Sequence, residues 1–277
     1  MTIHEINGGG GLKIAVREFG NPDGKPILLV HGFMQSSLCW SHQYGSDLAS
    51  EFRLLCMDIR GHGMSQRATS VEDYGDSKLW ADDVAATIES LNLTQPIIAG
   101  ASYGGFIIND YVSHYGDSKL GGINYVAAAV YLGNDKANAH IGTTFVEVVP
   151  GLLSPDLEEN IAATRRFVRS FYAIQPSQEE CETVLAYNMV VPTDVRAGLV
   201  SRNIDGDAAM GSIKCPVLVT QGDADVLVLK STADCIKQQI PQATVSVYEG
   251  IGHTTYSEAA ARFNNELGDF TRSSTGT

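Results

Sequence analysis

The chain has 277 residues, 44% hydrophobic and 18% charged, with a formal net charge of −13. That balance is the one expected of an ordinary globular protein with a sizeable core. The excess of acid argues against nucleic acid, whose phosphates it repels, and against an anionic membrane surface.

The opening MTIHEINGGGG has no basic start and no apolar core. No signal peptide is expected, the start reads as disordered, and a cytoplasmic location follows. From Leu12 to Phe19, apolar and polar residues alternate with the period of a strand. NPDGKP is a turn, and Ile27–Val30 is a short apolar run of the kind a buried parallel strand carries. A helix is expected over Ser41–Ser50, a buried strand over Arg53–Ile59, and an amphipathic helix over Ser77–Leu91. Pro96–Ala99 reads as strand, Gly104–Tyr115 as helix and Tyr125–Leu132 as strand. After a gap come strand Cys215–Thr220, helix Leu229–Gln239, strand Thr244–Tyr248 and helix Ser257–Phe270. The terminal SSTGT reads as a frayed tail.

Strands alternating with helices predict an α/β fold: a mostly parallel central sheet with helices on both faces. The alternation breaks after Gly133. The intervening segment reads as mostly helical, with one helix starting at SPDLEE, N-capped by Ser154 with Pro155 in its first position. Others follow PSQEE and PTD. Such a block, inserted at the carboxyl ends of the strands, is expected to be a cap. The expected division is a core of residues 1–133 and 208–277 and a helical cap of 134–207. Five widely spread cysteines with no CxxC predict neither a disulfide framework nor a zinc site.

GASYG, residues 100–104, follows an apolar strand and opens a helix. Ser102 therefore has two readings, a helix N-cap or an exposed nucleophile on a sharp turn. A hydroxyl nucleophile needs a base. Of seven histidines, His253 stands in EGIGHTTYSE, between the last strand and the last helix, at the sheet end where α/β proteins bind ligands. His31 and His62 lie in HG turns and read as turn supports; His4, His42, His114 and His140 read as surface or packing residues. The carboxylate that orients the base is sought in QGDADVL, where Asp225 is favoured and Asp223 is the alternative, with turn hydrogen bonding as its other role. The chain order Ser102, Asp225, His253 is that of the α/β-hydrolase triad.

LLVHGF, DIRGHGMS, AGASYGG, QGDADVL and GIGHTTYSE together resemble the α/β-hydrolase superfamily, over nearly the whole chain. The resemblance implies Ser102 as nucleophile, Asp225 as acid and His253 as base. It places the oxyanion hole at the main-chain N–H groups of Phe33 and Tyr103, and needs no metal or organic cofactor. Met34, Phe145, Val148, Leu152, Val226 and Leu227 are the candidates for the substrate pocket, with Phe171 and Tyr172 as further apolar residues of the cap. Dehalogenases and epoxide hydrolases of this superfamily have an aspartate where Ser102 stands. Carbon–carbon bond hydrolases usually carry a tryptophan after the histidine, where this chain has Thr254. The resemblance is to carboxylesterase, perhydrolase and acyl-homoserine lactonase members. It implies a small-molecule ester substrate, with lactone opening, perhydrolysis, carbon–carbon cleavage or a slow ligand receptor as alternatives. A homodimer is left open.

Overall fold

The computed structural model describes residues 1–274. Its ten strands are β1 Thr2–Asn7, β2 Lys13–Gly20, β3 Pro26–Val30, β4 Arg53–Met57, β5 Ile97–Ala101, β6 Gly122–Val126, β7 Tyr131–Leu132, β8 Ile204–Asp205, β9 Val217–Gly222 and β10 Thr244–Tyr248. Eight of them form one sheet in the order β1-β2-β4-β3-β5-β6-β9-β10. Pairing is antiparallel for β1 with β2 and β2 with β4, and parallel from β4 to β10. The parallel centre needs cover on both faces, which is why Ile27, Leu28, Leu29 and Val30 of β3 are all fully buried.

The order of the strands also fixes where a ligand site can form. After β3 the chain moves to β4 on one side, and after β5 it moves to β6 on the other. The crevice at such a switch point lies beyond the carboxyl ends of β3 and β5. Those ends lead into Phe33 and Ser102.

Several elements differ from their sequence-based expectation. The amino terminus is ordered: β1 pairs with β2, and His4 Nε2 lies 2.7 Å from a Glu18 carboxylate oxygen. The expected helix over Ser41–Ser50 is two short turns, Ser41–Tyr44 and Leu48–Glu51, interrupted at Gly45. The expected strand Tyr125–Leu132 is broken after Val126, because Ala127 turns into the left-handed region at φ 42. The chain then crosses beneath the β5 loop, and the Ala129 N–H donates to the Ser102 carbonyl at 3.0 Å. The final helix is also split, into Thr255–Glu258 and Ala260–Ser273. Of the tail, Ser273 closes that helix and Ser274 is buried, while residues 275–277 lie outside the described residues.

Four helices fill the segment between β7 and β8: Thr143–Leu152, Leu157–Arg169, Gln178–Met189 and Thr193–Val200. β7 and β8 pair antiparallel with each other, so the segment leaves and returns at one place. The helix after SPD is capped by Asp156 and not by Ser154. Asp156 is the last residue with extended backbone, at φ −73 and ψ 122, and its side chain accepts the Glu159 N–H at 2.9 Å. Ser154 reaches only the Asp156 N–H, at 3.1 Å. The helix Thr143–Leu152 lies in the segment read as mostly helical but has no start signal of its own, and Pro150 stands inside it. No helix among the described residues is long and apolar enough to cross a membrane. All five cysteines are free.

Candidate active site

Ser102 sits at φ 53, in the left-handed region that residues with a side chain rarely adopt. Such strain persists only where the surroundings over-determine it. Here the Ser102 N–H donates to the Val126 carbonyl at 3.0 Å, and the Ser102 carbonyl accepts from Gly105 and Ala129 at 2.9 and 3.0 Å. The flanking glycines answer to crowding. A Cβ on Gly100 would meet the Gly104 carbonyl oxygen at 2.7 Å, and one on Gly104 would meet the Val30 carbonyl oxygen at 2.7 Å. The turn thus has no room for side chains two residues either side of the serine.

Two buried histidines shape the loop after β3. The Ile59 N–H donates to His31 Nε2 at 3.1 Å, and the Met34 N–H donates to His62 Nε2 at 3.2 Å. Each ring therefore carries its proton on Nδ1, which faces the Gly32 carbonyl at 2.8 Å in His31 and the Arg60 carbonyl at 3.0 Å in His62. Both rings must be neutral to accept, and burial pushes their pKa values down to about 4 and about 3. Phe33 lies between these supports. Among the described residues, neither the Phe33 nor the Tyr103 main-chain N–H is engaged by another residue.

His253 Nδ1 lies 2.7 Å from Asp225 Oδ2. The other oxygen of Asp225 accepts the N–H groups of Leu227 and Val228 at 2.8 and 3.0 Å. Gln221, at the end of β9, adds a side-chain N–H to Oδ2 at 3.3 Å. Asp223 points elsewhere and accepts the Gly250 N–H at 2.7 Å, which is the turn role that was its alternative. The loop bearing His253 is fixed from the inserted segment: the His253 N–H donates to the Phe171 carbonyl at 2.8 Å. Glu258 gathers the N–H groups of Gly252, Ala173 and Ile174 at 2.8–3.0 Å, tying the same two segments together.

Ser102 and His253 border one apolar cavity of about 460 Å³, open solvent at its mouth included. Of the pocket residues expected from the sequence, Phe145 and Leu227 line it, as do Phe33 and Tyr103. Met34, Val148, Leu152 and Val226 do not. Met34 is fully buried beside His62. The cavity meets the helix Thr143–Leu152 only at its first turn, so Val148 and Leu152 are buried beyond it. Val226 is 44% exposed. Phe171 and Tyr172 are buried outside the lining, with Phe171 packed 6.2 Å from the His253 ring. Phe106, Phe167 and Val200 line the cavity and were not anticipated; nothing in their local sequence separates them from ordinary helix packing.

A serine raised on a strand-to-helix elbow, at the switch point of a mostly parallel sheet, is the arrangement of the α/β hydrolases. The family model described as "Alpha/beta hydrolase family" matches residues 27–266, and the chain belongs to that family. It is similar to the crystal structure of an esterase from Rhodococcus sp. ECU1013, with 33% identity, a TM-score of 0.92, and coverage of 99% of this chain and 100% of that one. A bifunctional esterase/perhydrolase from Acinetobacter calcoaceticus is 27% identical over 281 residues, covering 95% of this chain and 97% of the relative. A non-heme chloroperoxidase from Kitasatospora aureofaciens is 25% identical over 272 residues, covering 94% and 96%.

Proposed function

We propose that the protein is a serine carboxylesterase acting on small to medium hydrophobic esters. The observation that carries this is the His253–Asp225 pair at 2.7 Å, whose His253 borders the same apolar cavity as the strained Ser102. His253 Nε2 takes the Ser102 proton as Oγ bonds to the ester carbonyl carbon. The N–H groups of Phe33 and Tyr103 receive the negative oxygen, each donor lowering the barrier by about 3 kcal/mol. The tetrahedral intermediate collapses, the carbon–oxygen bond to the alcohol breaks, and the alcohol leaves with the proton from His253. Water, deprotonated by the same imidazole, then attacks the acyl-enzyme and releases the acid. Asp225 holds the tautomer that leaves Nε2 free and stabilises the imidazolium. The helices of residues 134–207 act as a cap on a core of residues 1–133 and 208–277. This cap brings Phe145 and Phe167 to the cavity and excludes water from it.

The similarity to the Rhodococcus esterase supports the same reading. Perhydrolysis is the second reading, favoured by the bifunctional esterase/perhydrolase among the relatives; hydrogen peroxide would replace water in the second step. The test is turnover of p-nitrophenyl esters from acetate to octanoate by the wild type and Ser102→Ala. Turnover that disappears in the variant supports a serine esterase. No turnover by a folded wild type sinks it. Adding peroxide and assaying peracid separates the second reading.

A further inference from the structure

The cavity at Ser102 has a neighbour. A surface groove of about 1060 Å³, counted in the same way, runs along the outer side of the helix Thr143–Leu152. Leu132, Ile141, Phe145 and Val200 line both spaces. On the groove side the lining continues with Val146, Val149 and Pro150, and Val146 is 61% exposed. One layer of four side chains therefore lies between the apolar cavity at Ser102 and an open, largely apolar channel. We infer that Phe145, with Leu132, Ile141 and Val200, is the end wall of the substrate chamber and sets the length of apolar chain that the ester can carry.

The four residues are not equally replaceable. Leu132 pairs with Ile204 in the β7–β8 ladder. Ile141 bridges Val228, and the next N–H, that of Gly142, donates to the Leu227 carbonyl at 2.8 Å. That part of the wall is thus fastened by main chain to the loop just after Asp225. The Phe145 side chain is held by packing alone: its ring stands edge-on to Phe33 at 5.8 Å, and Phe167 lies 5.9 Å away. Its ring is also the largest of the four side chains. Removing it opens the widest gap while leaving the strand ladder and the Asp225 loop untouched. A chain leaving Ser102 would then run past Phe33 into the groove at Val146 and Val149.

This inference rests on the esterase reading, and its test keeps the two apart. Two series are assayed, p-nitrophenyl esters from acetate to dodecanoate and acetates of alcohols from ethanol to octanol. The enzymes are wild type, Phe145→Ala, Phe145→Leu, Val200→Ala and Ser102→Ala. One methylene in an apolar pocket is worth about tenfold or more in kcat/KM. The expected result is a wild type that falls off steeply with length, and a Phe145→Ala variant whose long-to-short ratio of kcat/KM rises at least about tenfold. Phe145→Leu and Val200→Ala should give smaller rises in the same direction, and they carry the test if Phe145→Ala does not fold. A rise confined to one series supports the same wall and assigns it to the acyl or the alcohol side. Active variants with the wild-type ratio in both series would overturn the inference while leaving the esterase standing. A wild type with no Ser102-dependent turnover of any ester would overturn the esterase reading itself.

Discussion

Arg202 Nη2 lies 2.8 Å from both carboxylate oxygens of Asp110. The pair joins the end of the inserted segment to the helix that begins behind Ser102, and both residues are buried. The guanidinium also stands 5.5 Å from the Trp80 ring and donates to the Tyr103 hydroxyl at 3.4 Å. Burial outweighs even this partner, pushing the Asp110 carboxyl up to about 6. Against burial, the same contacts raise the Arg202 guanidinium above its ordinary value, so each buried group depends on the other for its partner. Asp110→Leu should lower stability by about 3–5 kcal/mol, because it leaves a buried guanidinium without its partner. The double variant Asp110→Leu/Arg202→Met should recover most of that loss. Urea denaturation of the wild type and the two variants checks it; a double variant as unstable as the single would refute the account.

Gln221 acts on the site through Asp225. Its side-chain amide is buried and donates to Asp225 Oδ2 as well as to the carbonyls of Gly222 and Val228. A hydrogen bond to a charged group contributes roughly 1.5–3 kcal/mol. Gln221→Leu should therefore lower kcat about tenfold, through a loosened Asp225, with little change in KM. Asp225→Asn removes the tautomer control outright and should cost about 10⁴ in kcat. Steady-state kinetics on one short ester distinguishes the two. A Gln221→Leu enzyme altered mainly in KM would place the residue in substrate binding instead.

Much of this site is legible in the sequence because its pieces are local. Ser102, Asp225 and His253 each follow a strand whose apolar run is plain, and the glycines around them mark sharp turns. What cannot be read is what depends on pairing across the chain. Gln221 is one polar residue at the end of a strand, and only the fold puts it beside Asp225. The β1 strand lacks an apolar run, since its outer face is open and its cohesion comes from the β2 ladder. Val148 and Leu152 carry the right apolar character for a pocket but sit one and two turns too far along their helix. The break after Val126 has no local signal: the Ala127 N–H still makes the last ladder bond, to the Thr220 carbonyl at 2.8 Å, and the chain then turns to bring the Ala129 N–H to the distant Ser102 carbonyl.

Arg196 organises the helices of the inserted segment without a carboxylate partner. It is buried, and no carboxylate among the described residues forms an ion pair with it. Its N–H groups go to the carbonyls of Val191 and Leu152 at 2.8 and 2.9 Å, to Asn160 Oδ1 at 2.9 Å and to the Asn188 carbonyl at 3.3 Å. Leu152 and Asn188 lie at the carboxyl ends of two helices, where the dipole favours a cation. Burial alone still lowers its pKa, to about 10. Lysine offers a point charge in place of a planar fork and cannot reach these acceptors together. Each buried carbonyl left without a partner costs about 1–3 kcal/mol. Arg196→Lys should destabilise the protein by about 2 kcal/mol or more and raise hydrogen exchange first in helices Thr143–Leu152 and Gln178–Met189. Exchange increased uniformly across the central sheet would contradict this local role.

The paired histidines under the Phe33 loop set an acid limit on the fold. Both accept a main-chain N–H at Nε2 and cannot do so when protonated. Their folded pKa values, about 4 for His31 and about 3 for His62, lie below the ordinary value of 6.5. A depressed folded pKa contributes stability that is fully present above pH 6.5 and is lost as pH falls through the folded value. Between pH 6 and pH 4.5 each histidine should therefore steepen the loss by about 1.4 kcal/mol per pH unit. His62→Gln retains one acceptor and one donor but takes up no proton. Its unfolding free energy should fall less steeply than that of the wild type over this range, by about that one increment. Urea denaturation at pH 7.5, 6.5, 5.5 and 4.5 measures both slopes. Parallel slopes would mean that His62 is protonated in the folded state, and the neutral tautomer assigned to this ring would have to be abandoned.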